Sequence, residues 1–585
     1  MLTPDAPFVL LDDARAAGAA PARLYARPID TVVAATPAQV PRVLQALRVA
    51  REGGLHAAGF LSYEAGHALE PKLRPPSSGD VPYAWFGLFD GYETIAADHV
   101  PALLPDARGA WAGPPAPRID EAAYARAFDR IQALIAAGDI YQANLTFGAD
   151  VRTLGHPLAL YAAIRSRAQA GYGGIVWTGD DWLLSFSPEL FVALQGGKAT
   201  TRPMKGTAPA ASDPAELSAD PKQRAENLMI VDLLRNDLSR VAAPGSVEVP
   251  ELFRVETYPT VHQMVSTVTA RLDEGRDAID LIGALFPCGS ITGAPKIRAM
   301  EVIGEVEDSP RGAYCGAIVR LDANGDTAFN VAIRTLHMKD GADTATLGLG
   351  SGIVADSVGA QEWDECLAKG RFVTLGQRTP DLIETMAFDS HDGILRLDRH
   401  MARMKASAAA FAIPFDRHAV RNDLQAATFR QRGPARVRLL LSPSGRTAIH
   451  VSPMPAFPAE PVEVAIVPMP VDASDYRLRH KTADRAFYDH ARHIAGTFEV
   501  IFVRPDGRLT EGSFTNLFVA RDGKLLTPAA PDLLPGVLRD ALIEEGKAVD
   551  ADLVAADLTG DFWIGNALRG MIRARLVAAA QHPGL

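Results

Sequence analysis

The stretch Thr201-Arg202-Pro203-Met204-Lys205-Gly206-Thr207 places a single lysine between a proline and a glycine. Proline fixes φ and glycine frees it, so the backbone on both sides of Lys205 is specialised. The apolar run 189–194 and the turn at Gly196-Gly197 come first, which predicts that Lys205 ends a short strand. A lysine in a water-poor pocket has a lowered pKa and acts as a nucleophile. Taken alone, the same pattern also fits a surface lysine in a loop.

The composition is that of an ordinary globular protein. The 585 residues are 48% hydrophobic and 22% charged, and such a length predicts two large domains or about three to four smaller ones. The net charge of −11 argues against binding nucleic acid or an anionic membrane. No apolar stretch is long enough to span a bilayer, and the first residues lack the basic start of a signal peptide. Cys288, Cys315 and Cys366 form neither a disulfide framework nor a zinc site, so we expect a cytoplasmic protein.

Hydrophobic periodicity predicts the helices and strands. Tyr124, Phe128, Ile131 and Ile135 recur at helical spacing, for example. The predicted helices cover 121–137, 221–234, 357–375 and 397–411, and the predicted strands cover 175–177, 182–186, 314–321, 328–336 and 382–388. The segments 314–321 and 328–336 form a predicted hairpin across a turn at 323–326. The glycine-rich segment 348–352 is predicted to be a loop.

One boundary divides the chain. After Gly376-Gln377-Arg378-Thr379-Pro380 the pattern starts afresh with a strand, a turn and a helix. We therefore predict an α/β (α+β) protein with a large domain over 1–376 and a smaller one over 377–585. The segment 101–117, rich in proline, glycine and alanine, is a predicted loop or linker within the first domain.

Carboxylates and glycine-rich turns in the first domain suggest ion sites. Glu226 and Glu365 lie on separate predicted helices, and such a pair suits Mg²⁺, which takes few protein ligands and keeps its waters. Two solvated helix faces would explain the same spacing. The stretches Gly289-Ser290-Ile291-Thr292-Gly293-Ala294-Pro295-Lys296 and Gly350-Ser351-Gly352 have features of an anion cradle.

Together these stretches resemble the chorismate-utilising enzymes, which include the anthranilate, aminodeoxychorismate, isochorismate and salicylate synthases. The resemblance is strong from about Tyr124 to Lys369 and looser over 1–115, where Gly59 to Gly66 fits. It implies an anthranilate-synthase-component-I-like layered β-sandwich with flanking helices. It also implies one buried site for chorismate and Mg²⁺.

Two positions separate the branches of this family. Members that add water carry a lysine base in the segment that here reads Asp139-Ile140-Tyr141-Gln142-Ala143-Asn144, so Gln142 disfavours water addition. Where anthranilate synthases have alanine, this chain has Lys205, as aminodeoxychorismate synthases do. The resemblance implies that Lys205 attacks C2 of chorismate as the C4 hydroxyl leaves. Ammonia then enters at C4 and expels the lysine.

The same resemblance implies further roles. Glu189 matches the general acid that helps the C4 hydroxyl to leave, which requires a raised pKa. His262 matches an active-site histidine near the ring, although a core histidine is the alternative. Arg334 matches a group that pairs with the enolpyruvyl carboxylate. The matching Mg²⁺ ligands are Glu226 and Glu365, and the matching substrate contacts are Gln142, Thr207, Thr292, Tyr314, Arg334 and Gly352.

The ammonia needs a source. A glutaminase requires an activated cysteine, and none of the three cysteines stands in such a sequence context. We therefore expect a separate glutamine amidotransferase subunit, as the family usually has, or free ammonia.

The smaller domain has a lysine of its own. Lys481 stands in the basic segment 477–485, and basic neighbours lower the pKa of an amine. Glu511 precedes a turn of small residues and suits pairing with a protonated pyridine nitrogen. The segment 534–539 is predicted to be a loop entering a helix whose amides suit a phosphate, with Arg403 nearby.

This set, from about Leu382 onwards, resembles the class IV aminotransferases, whose cofactor is pyridoxal 5′-phosphate (PLP). The resemblance implies a fold-type-IV PLP domain in which Lys481 forms the Schiff base and Glu511 pairs with the pyridine nitrogen. Arg403 and the amides of Val537 and Leu538 would hold the phosphate, and Arg569 would bind a substrate carboxylate. Asp484 replaces the usual asparagine. A homodimer through this domain is one option.

The two resemblances together imply synthesis of 4-aminobenzoate for folate. Chorismate would be aminated at C4, and 4-amino-4-deoxychorismate would then lose pyruvate in a PLP-dependent lyase reaction. One alternative is an aminodeoxychorismate or anthranilate synthase component fused to a branched-chain or D-amino-acid transaminase. Lys205 argues against the anthranilate reading. Another alternative is an inactive C-terminal scaffold, against which Lys481 and Glu511 argue.

Overall fold

The chain folds into two compact units. The computed structural model describes residues 2–73, 79–209, 211–257, 261–529, 533–560 and 562–577, without the side chains of Thr207 and Val261. The first unit contains 1–104, 114–153 and 161–375, and the second contains 105–113, 154–160 and 376–585. Two short early segments therefore belong to the second unit. Throughout the described ranges, every helix is too short or too polar to cross a membrane.

The elements of the chain up to residue 375 are mostly strands. The strands are β1 (Phe8–Asp12), β2 (Ala22–Ala26), β3 (Asp30–Ala34), β4 (His56–Leu61), β5 (Ala84–Phe89), β6 (Glu93–Ile95), β7 (Trp111–Ala112), β8 (Ala116–Pro117), β9 (Gln142–Leu154), β10 (Gly173–Trp177), β11 (Asp181–Ser185), β12 (Leu190–Gln195), β13 (Lys198–Thr201), β14 (Met204–Pro209), β15 (Glu248–Thr257), β16 (Val261–Arg271), β17 (Gly293–Ala294), β18 (Ala317–Leu321), β19 (Thr327–Val331), β20 (Thr335–Lys339) and β21 (Thr344–Ile353). The helices are α1 (Val40–Glu52), α2 (Ala65–Leu69), α3 (Val100–Leu103), α4 (Glu121–Ala136), α5 (Pro157–Ala168), α6 (Pro214–Ala219), α7 (Pro221–Ser239), α8 (Ala278–Leu285), α9 (Lys296–Val306) and α10 (Gly359–Gly370).

Two large sheets form the centre of the first unit. One has the strand order β17-β9-β21-β20-β11-β10-β1-β2-β6, and the other has the order β14-β16-β13-β12-β19-β18-β4-β5-β3. Val9 and Val176 of the first sheet lie in one buried cluster with Phe60 and Trp85 of the second. The sheets therefore pack face to face, as alternating apolar residues on facing strands require.

Helices cover both outer faces of this sandwich. Leu44 of α1, Val231 of α7 and Leu281 of α8 share a buried cluster with Phe191 of the second sheet. On the other side, α4 and α10 pack on β21. The predicted layered β-sandwich with flanking helices is confirmed.

Several predicted elements are confirmed, among them α4, β10, β11 and the helix that begins at Pro221. The predicted strand 328–336 is wrong. It splits into β19 and β20, which lie in different sheets, and Arg334 stands at the crossover with φ of 50°.

The predicted loop at 348–352 is also wrong, because these residues belong to β21 and pair with β9. Their glycines leave room for neighbouring groups. A methyl group on Gly348 would lie 2.0 Å from the ring of Tyr314, and one on Gly350 would lie 2.6 Å from Thr146. Close approach, not turn geometry, explains this glycine-rich pattern.

The second unit contains two further sheets. Its strands are β22 (Leu382–Asp389), β23 (Gly393–Ile394), β24 (Ala435–Leu441), β25 (Thr447–Pro453), β26 (Val462–Pro468), β27 (Glu499–Val503), β28 (Leu509–Gly512), β29 (Asn516–Arg521), β30 (Lys524–Pro528), β31 (Ala548–Ala551), β32 (Phe562–Asn566) and β33 (Gly570–Leu576), and its helices are α11 (Leu397–Ala410), α12 (Arg417–Thr428), α13 (Tyr476–Arg479), α14 (Ala486–Ala495) and α15 (Val537–Glu544). The sheet orders are β23-β22-β24-β25 and β28-β27-β26-β33-β32-β29-β30-β31. The predicted strand at 382–388 and the predicted helix at 397–411 are confirmed.

Candidate active sites

A cavity of about 670 Å³ opens in the first unit between the edge strand β14, the strand β21 and the helices α7 and α10. The predicted site residues that line it are Glu189, Lys205, Glu226, Tyr314, Arg334, Gly352 and Glu365. Residues far apart in sequence therefore meet at one place.

Lys205 lies near the start of β14, and its amine approaches Gly352. A methyl group on Gly352 would lie 3.2 Å from Nζ of Lys205 and 3.1 Å from Nε2 of Gln142. Gln142 is buried, and its Nε2 has no hydrogen-bond partner among the described residues. Burial and the nearby Lys369 lower the pKa of Lys205, although three carboxylates oppose them. The amine and the unpaired amide together present two donors to a ligand.

Glu189 is the buried carboxyl group of the cavity. Its side chain accepts a hydrogen bond of 2.7 Å at Oε1 from Oγ of Ser290. Burial raises the pKa of Glu189, while Ser290, Lys205 and Lys369 oppose that shift. A carboxyl group with a raised pKa beside a small-molecule cavity suits a general acid.

Arg334 and Tyr314 face the same cavity. The guanidinium of Arg334 pairs with no carboxylate in the described part of the chain, and burial lowers its pKa. A half-buried guanidinium without an acidic partner is suited to a bound carboxylate, which it can grip with two parallel hydrogen bonds.

The carboxylates of Glu226 and Glu365 lie at the α7 and α10 side of the cavity. Glu226 forms no ion pair with a described residue, and burial raises its pKa. Glu365 pairs with Lys369 at 2.7 Å, which holds the pKa of Glu365 below its ordinary value despite burial. No group of three or more acidic, histidine or cysteine side chains within the described ranges forms a closed metal site. Two carboxylates plus waters still fit Mg²⁺, and a cation would stabilise the charge of Glu226.

The structure does not bring every predicted residue to the cavity. His262 is buried and uses both ring nitrogens, Nδ1 with Thr257 at 2.9 Å and Nε2 with the carbonyl of Ser212 at 3.0 Å. Thr292 donates its hydroxyl to the carbonyls of Cys288 and Gly289. Thr207 is on β14, and its side chain lies outside the described part of the structure.

Lys481 occupies a second site, in the second unit. Its carbonyl accepts a hydrogen bond of 2.9 Å from the amide of Ile383, which sets it beside β22. Burial, Arg403 and Arg485 lower its pKa to about 7, with Glu384 opposing. The amine is therefore largely neutral in mildly alkaline solution.

Arg403 lies close to this lysine but is already heavily engaged. Its Nε and Nη2 donate to the carboxylate of Glu384 at 2.8 and 2.7 Å, and its Nη1 donates to the carbonyl of Pro535 at 2.7 Å. His400 bonds the same carboxylate through Nδ1 at 2.6 Å. Arg403 therefore fixes the loop before α15, and only its remaining donors are available to a phosphate.

Glu511 is buried, and Tyr488 donates a hydrogen bond of 3.0 Å to its Oε1. Burial raises the pKa of Glu511 to about 7. Glu499 holds the turn after Glu511, because its carboxylate accepts bonds from the amides and hydroxyls of residues 513–515.

The residues of the second site fit PLP. Val537 and Leu538 form the first turn of α15, whose N-terminal amides suit a phosphate. The lysine amine, the buried acid and this helix start are the three features such a cofactor needs. Arg569 lies in the turn between β32 and β33 and donates to the carbonyl of Ala456 at 2.9 Å.

Comparison with known proteins assigns the first unit to a family. Residues 6–374 match the model of the chorismate binding enzymes. The chain belongs to this family. Residues 381–577 match the model of the class IV amino-transferases.

Individual relatives agree with this membership of the chorismate binding family. Aminodeoxychorismate synthase component 1 of Klebsiella aerogenes is 46% identical over 253 residues, which are 42% of this chain and 56% of that protein. The 2-amino-4-deoxychorismate synthase of Streptomyces globisporus is 40% identical over 290 residues, 47% of this chain and 58% of that protein. The chain thus spans little more than half the length of these relatives. The crystal structure of anthranilate synthase component I from Streptococcus pneumoniae matches with a TM-score of 0.52 and 25% identity, over 64% of this chain and 93% of that one.

Sequence reasoning missed several residues at the two sites. Ser290, Glu362 and Lys369 line the first cavity, and Glu384 and Glu499 organise the second site. Ser290 lies in the predicted anion cradle 289–296, so its hydroxyl had a signal in the sequence. Glu384 and Glu499 sit in apolar strands, where a buried acid is itself a signal of a paired or functional group.

Proposed function

We propose that the chain makes 4-aminobenzoate in two steps, by aminating chorismate at C4 in the first unit and removing pyruvate in the second. The observation that carries the first step is the position of the Lys205 amine beside Gly352, inside a cavity that also holds the buried acid Glu189. A lysine at the position where anthranilate synthases have alanine gives a nucleophile that an anthranilate synthase lacks.

Lys205 would be the nucleophile in the reaction of chorismate, and Glu189 would be the general acid. The neutral amine of Lys205 forms a bond to C2 while the C4–O bond breaks, and Glu189 supplies the proton with which the hydroxyl leaves as water. Ammonia then forms a bond to C4, the ring electrons shift back, and the bond from C2 to Lys205 breaks. Arg334 would pair with the enolpyruvyl carboxylate and so orient the ring.

Glu226 and Glu365 would hold Mg²⁺. The ion would supply positive charge for the ring carboxylate of chorismate, which otherwise meets these two acidic side chains. Ammonia would come from a separate glutamine amidotransferase subunit, as the component 1 name of the Klebsiella relative suggests.

The second site would carry out the elimination. PLP would supply an electron sink for the charge left when a proton leaves C4 of the substrate. Lys481, with a pKa of about 7, is suited to hold the cofactor and to take that proton. Glu511 would pair with the pyridine nitrogen, the start of α15 with the phosphate, and Arg569 with a substrate carboxylate.

A product assay tests this function. The purified chain is incubated with chorismate, Mg²⁺, PLP and excess ammonium, and the aromatic product is identified by mass spectrometry. We expect 4-aminobenzoate and pyruvate from the wild type and neither from Lys205→Ala. Anthranilate would contradict the first step. Accumulated 4-amino-4-deoxychorismate would support the first step and contradict the second, leaving a transaminase as the reading of the second unit.

A further inference from the structure

Ser290 forms a hydrogen bond with Glu189, the buried carboxyl group of the first cavity. It lies in a short 3₁₀ turn, Gly289–Ile291, and its side chain is 4% exposed. Its Oγ donates to Oε1 of Glu189 at 2.7 Å. No other hydrogen bond reaches the carboxyl group of Glu189 from the described residues, so Oε2 has no partner among them.

The turn that carries Ser290 is held firmly. The Oγ1 atom of Thr292 donates to the carbonyls of Cys288 at 3.0 Å and Gly289 at 3.2 Å. Gly289 packs against Leu233, since a methyl group at Gly289 would lie 2.4 Å from that side chain. The backbone that carries the Ser290 hydroxyl is therefore held by contacts within the fold.

Three ionisable groups surround Glu189 from other elements. Lys205 on β14 and Lys369 on α10 act on it electrostatically. Cys288 contacts Ser290 at 3.2 Å, and burial raises the pKa of its thiol to about 12, so it stays neutral. Among the described residues, the two lysines alone therefore bring charge close to Glu189, and both line the cavity.

We propose that Ser290 is the positioning residue that reserves Oε1 of Glu189 as an acceptor and so directs the acidic proton to Oε2, toward the substrate. An O–H donated to Oε1 disfavours a proton on that oxygen, because the hydroxyl oxygen of a carboxylic acid is a weaker acceptor than its carbonyl oxygen. This inference rests on the proposed function of Glu189 as the acid for the C4 hydroxyl. It gives the hydroxyl in the 289–296 stretch a role in the reaction without contact to the reacting atoms.

A pH profile separates this role from a structural one. A donated hydrogen bond stabilises the carboxylate, so its removal raises the pKa of Glu189. A general acid must be protonated, and activity is lost as pH rises through its pKa. The alkaline limb of kcat/KM in Ser290→Ala should therefore move to higher pH by about one unit, with kcat lowered about tenfold or more.

The experiment compares Ser290→Ala, Ser290→Thr and Ser187→Ala with the full-length wild type, with ammonium as the nitrogen donor. Ser290→Thr keeps the hydroxyl and should restore the wild-type profile. Ser187 is the matched control, because its Oγ contacts the backbone amide of Glu189 at 3.2 Å and not the carboxyl group. Its alanine variant should keep the wild-type alkaline limb.

Infrared titration of the protonated carboxyl band, assigned with Glu189→Gln, gives a readout that needs no turnover. The proposal is supported if the midpoint of this band shifts upward in Ser290→Ala and stays unchanged in the other two serine variants. Failure of the wild type to aminate chorismate would contradict the proposed function and would leave this result intact. An unchanged midpoint and an unchanged limb in a folded Ser290→Ala protein would overturn the proposal. A loss that Ser290→Thr does not rescue would overturn it as well.

Discussion

Lys205 and Lys481 are both withdrawn from water, but their neighbours differ. Burial and Lys369 lower the pKa of Lys205 while carboxylates oppose the shift. Two arginines assist burial at Lys481 against Glu384 and Glu511, and its pKa falls to about 7. Both amines therefore depend on a balance between burial and charged neighbours, with arginines as the cations beside Lys481 and a lysine beside Lys205.

The lowered pKa of Lys481 leads to a prediction about the pH dependence of the rate of PLP binding. Only the neutral amine attacks a carbonyl, and this fraction grows as pH rises through the pKa. Stopped-flow absorbance of cofactor-free protein mixed with PLP should show a rate that rises through about pH 7 and then levels off. Replacing Arg485 by methionine removes a positive neighbour and should move the midpoint upward. A midpoint near the ordinary lysine pKa in the wild type would contradict this prediction.

The close packing at Gly352 leads to a prediction for the activity of the Gly352→Ala variant. In Gly352→Ala the new atom would lie 3.2 Å from Nζ of Lys205 and 3.1 Å from Nε2 of Gln142, so both must shift. We expect amination of chorismate to fall about tenfold or more, because a small displacement of a nucleophile is costly. The control is Gly283→Ala on α8, where nothing lies within 4 Å. Equal activity of the two variants would argue against Lys205 as the nucleophile.

At the scale of elements, the strand ends and crossovers hold the functional groups. The chain passes from one sheet to the other between β19 and β20, and Arg334 faces the cavity from that corner. Glu511 sits in β28 just before the turn that leads to β29. Strands and the crossovers beside them thus fix the positions of these side chains.

The hydrogen bonds of the turn between β28 and β29 lead us to expect that Glu499→Gln lowers the stability of the second unit. The carboxylate of Glu499 accepts bonds from Ser513, Phe514 and Thr515, and an amide would direct N–H groups at some of these donors. We expect a loss of about 1–3 kcal/mol in the stability of the second unit. Isothermal titration should also show weaker PLP binding.

A matched glutamate lies on the neighbouring strand. Glu463 of β26 is exposed and pairs with Arg575 at 2.7 Å. Glu463→Gln should change stability and PLP affinity little, because exposed ion pairs contribute little. Similar effects of the two substitutions would mean that the turn does not depend on Glu499.

For the whole molecule, each unit has its own buried clusters and its own candidate site. The clusters that contain Phe60 and Leu281 belong to the first unit, and those that contain Met401 and Ile501 belong to the second. The two reactions should therefore be separable by single substitutions.

Mixing two inactive variants tests this separation. Lys481→Ala should accumulate 4-amino-4-deoxychorismate, and Lys205→Ala should accept that compound but not form it. An equimolar mixture should regain 4-aminobenzoate formation, measured by fluorescence. Recovery by the mixture would show that the intermediate can leave one molecule and enter another. No recovery, with each variant folded and active in its own half-reaction, would contradict this prediction.

Local pattern predicted much of the fold. The helix at 121–137 follows from its apolar spacing, and β10 and β11 follow from short apolar runs. The pattern failed at 348–352, where glycines serve close approach inside a strand. It also failed at 328–336, because β propensity alone does not show that a strand changes sheets.

The sequence by itself determined the motifs of both families, the boundary near 376 as a prediction, and seven of the residues that line the first cavity. Local order carries that information, since a motif is a run of neighbours. Only the tertiary structure placed Ser290 against Glu189, the amine of Lys205 against Gly352, and Glu384 against Arg403. These contacts join elements distant in the chain. They arise from the packing of sheets and helices, which no spacing rule along the sequence records.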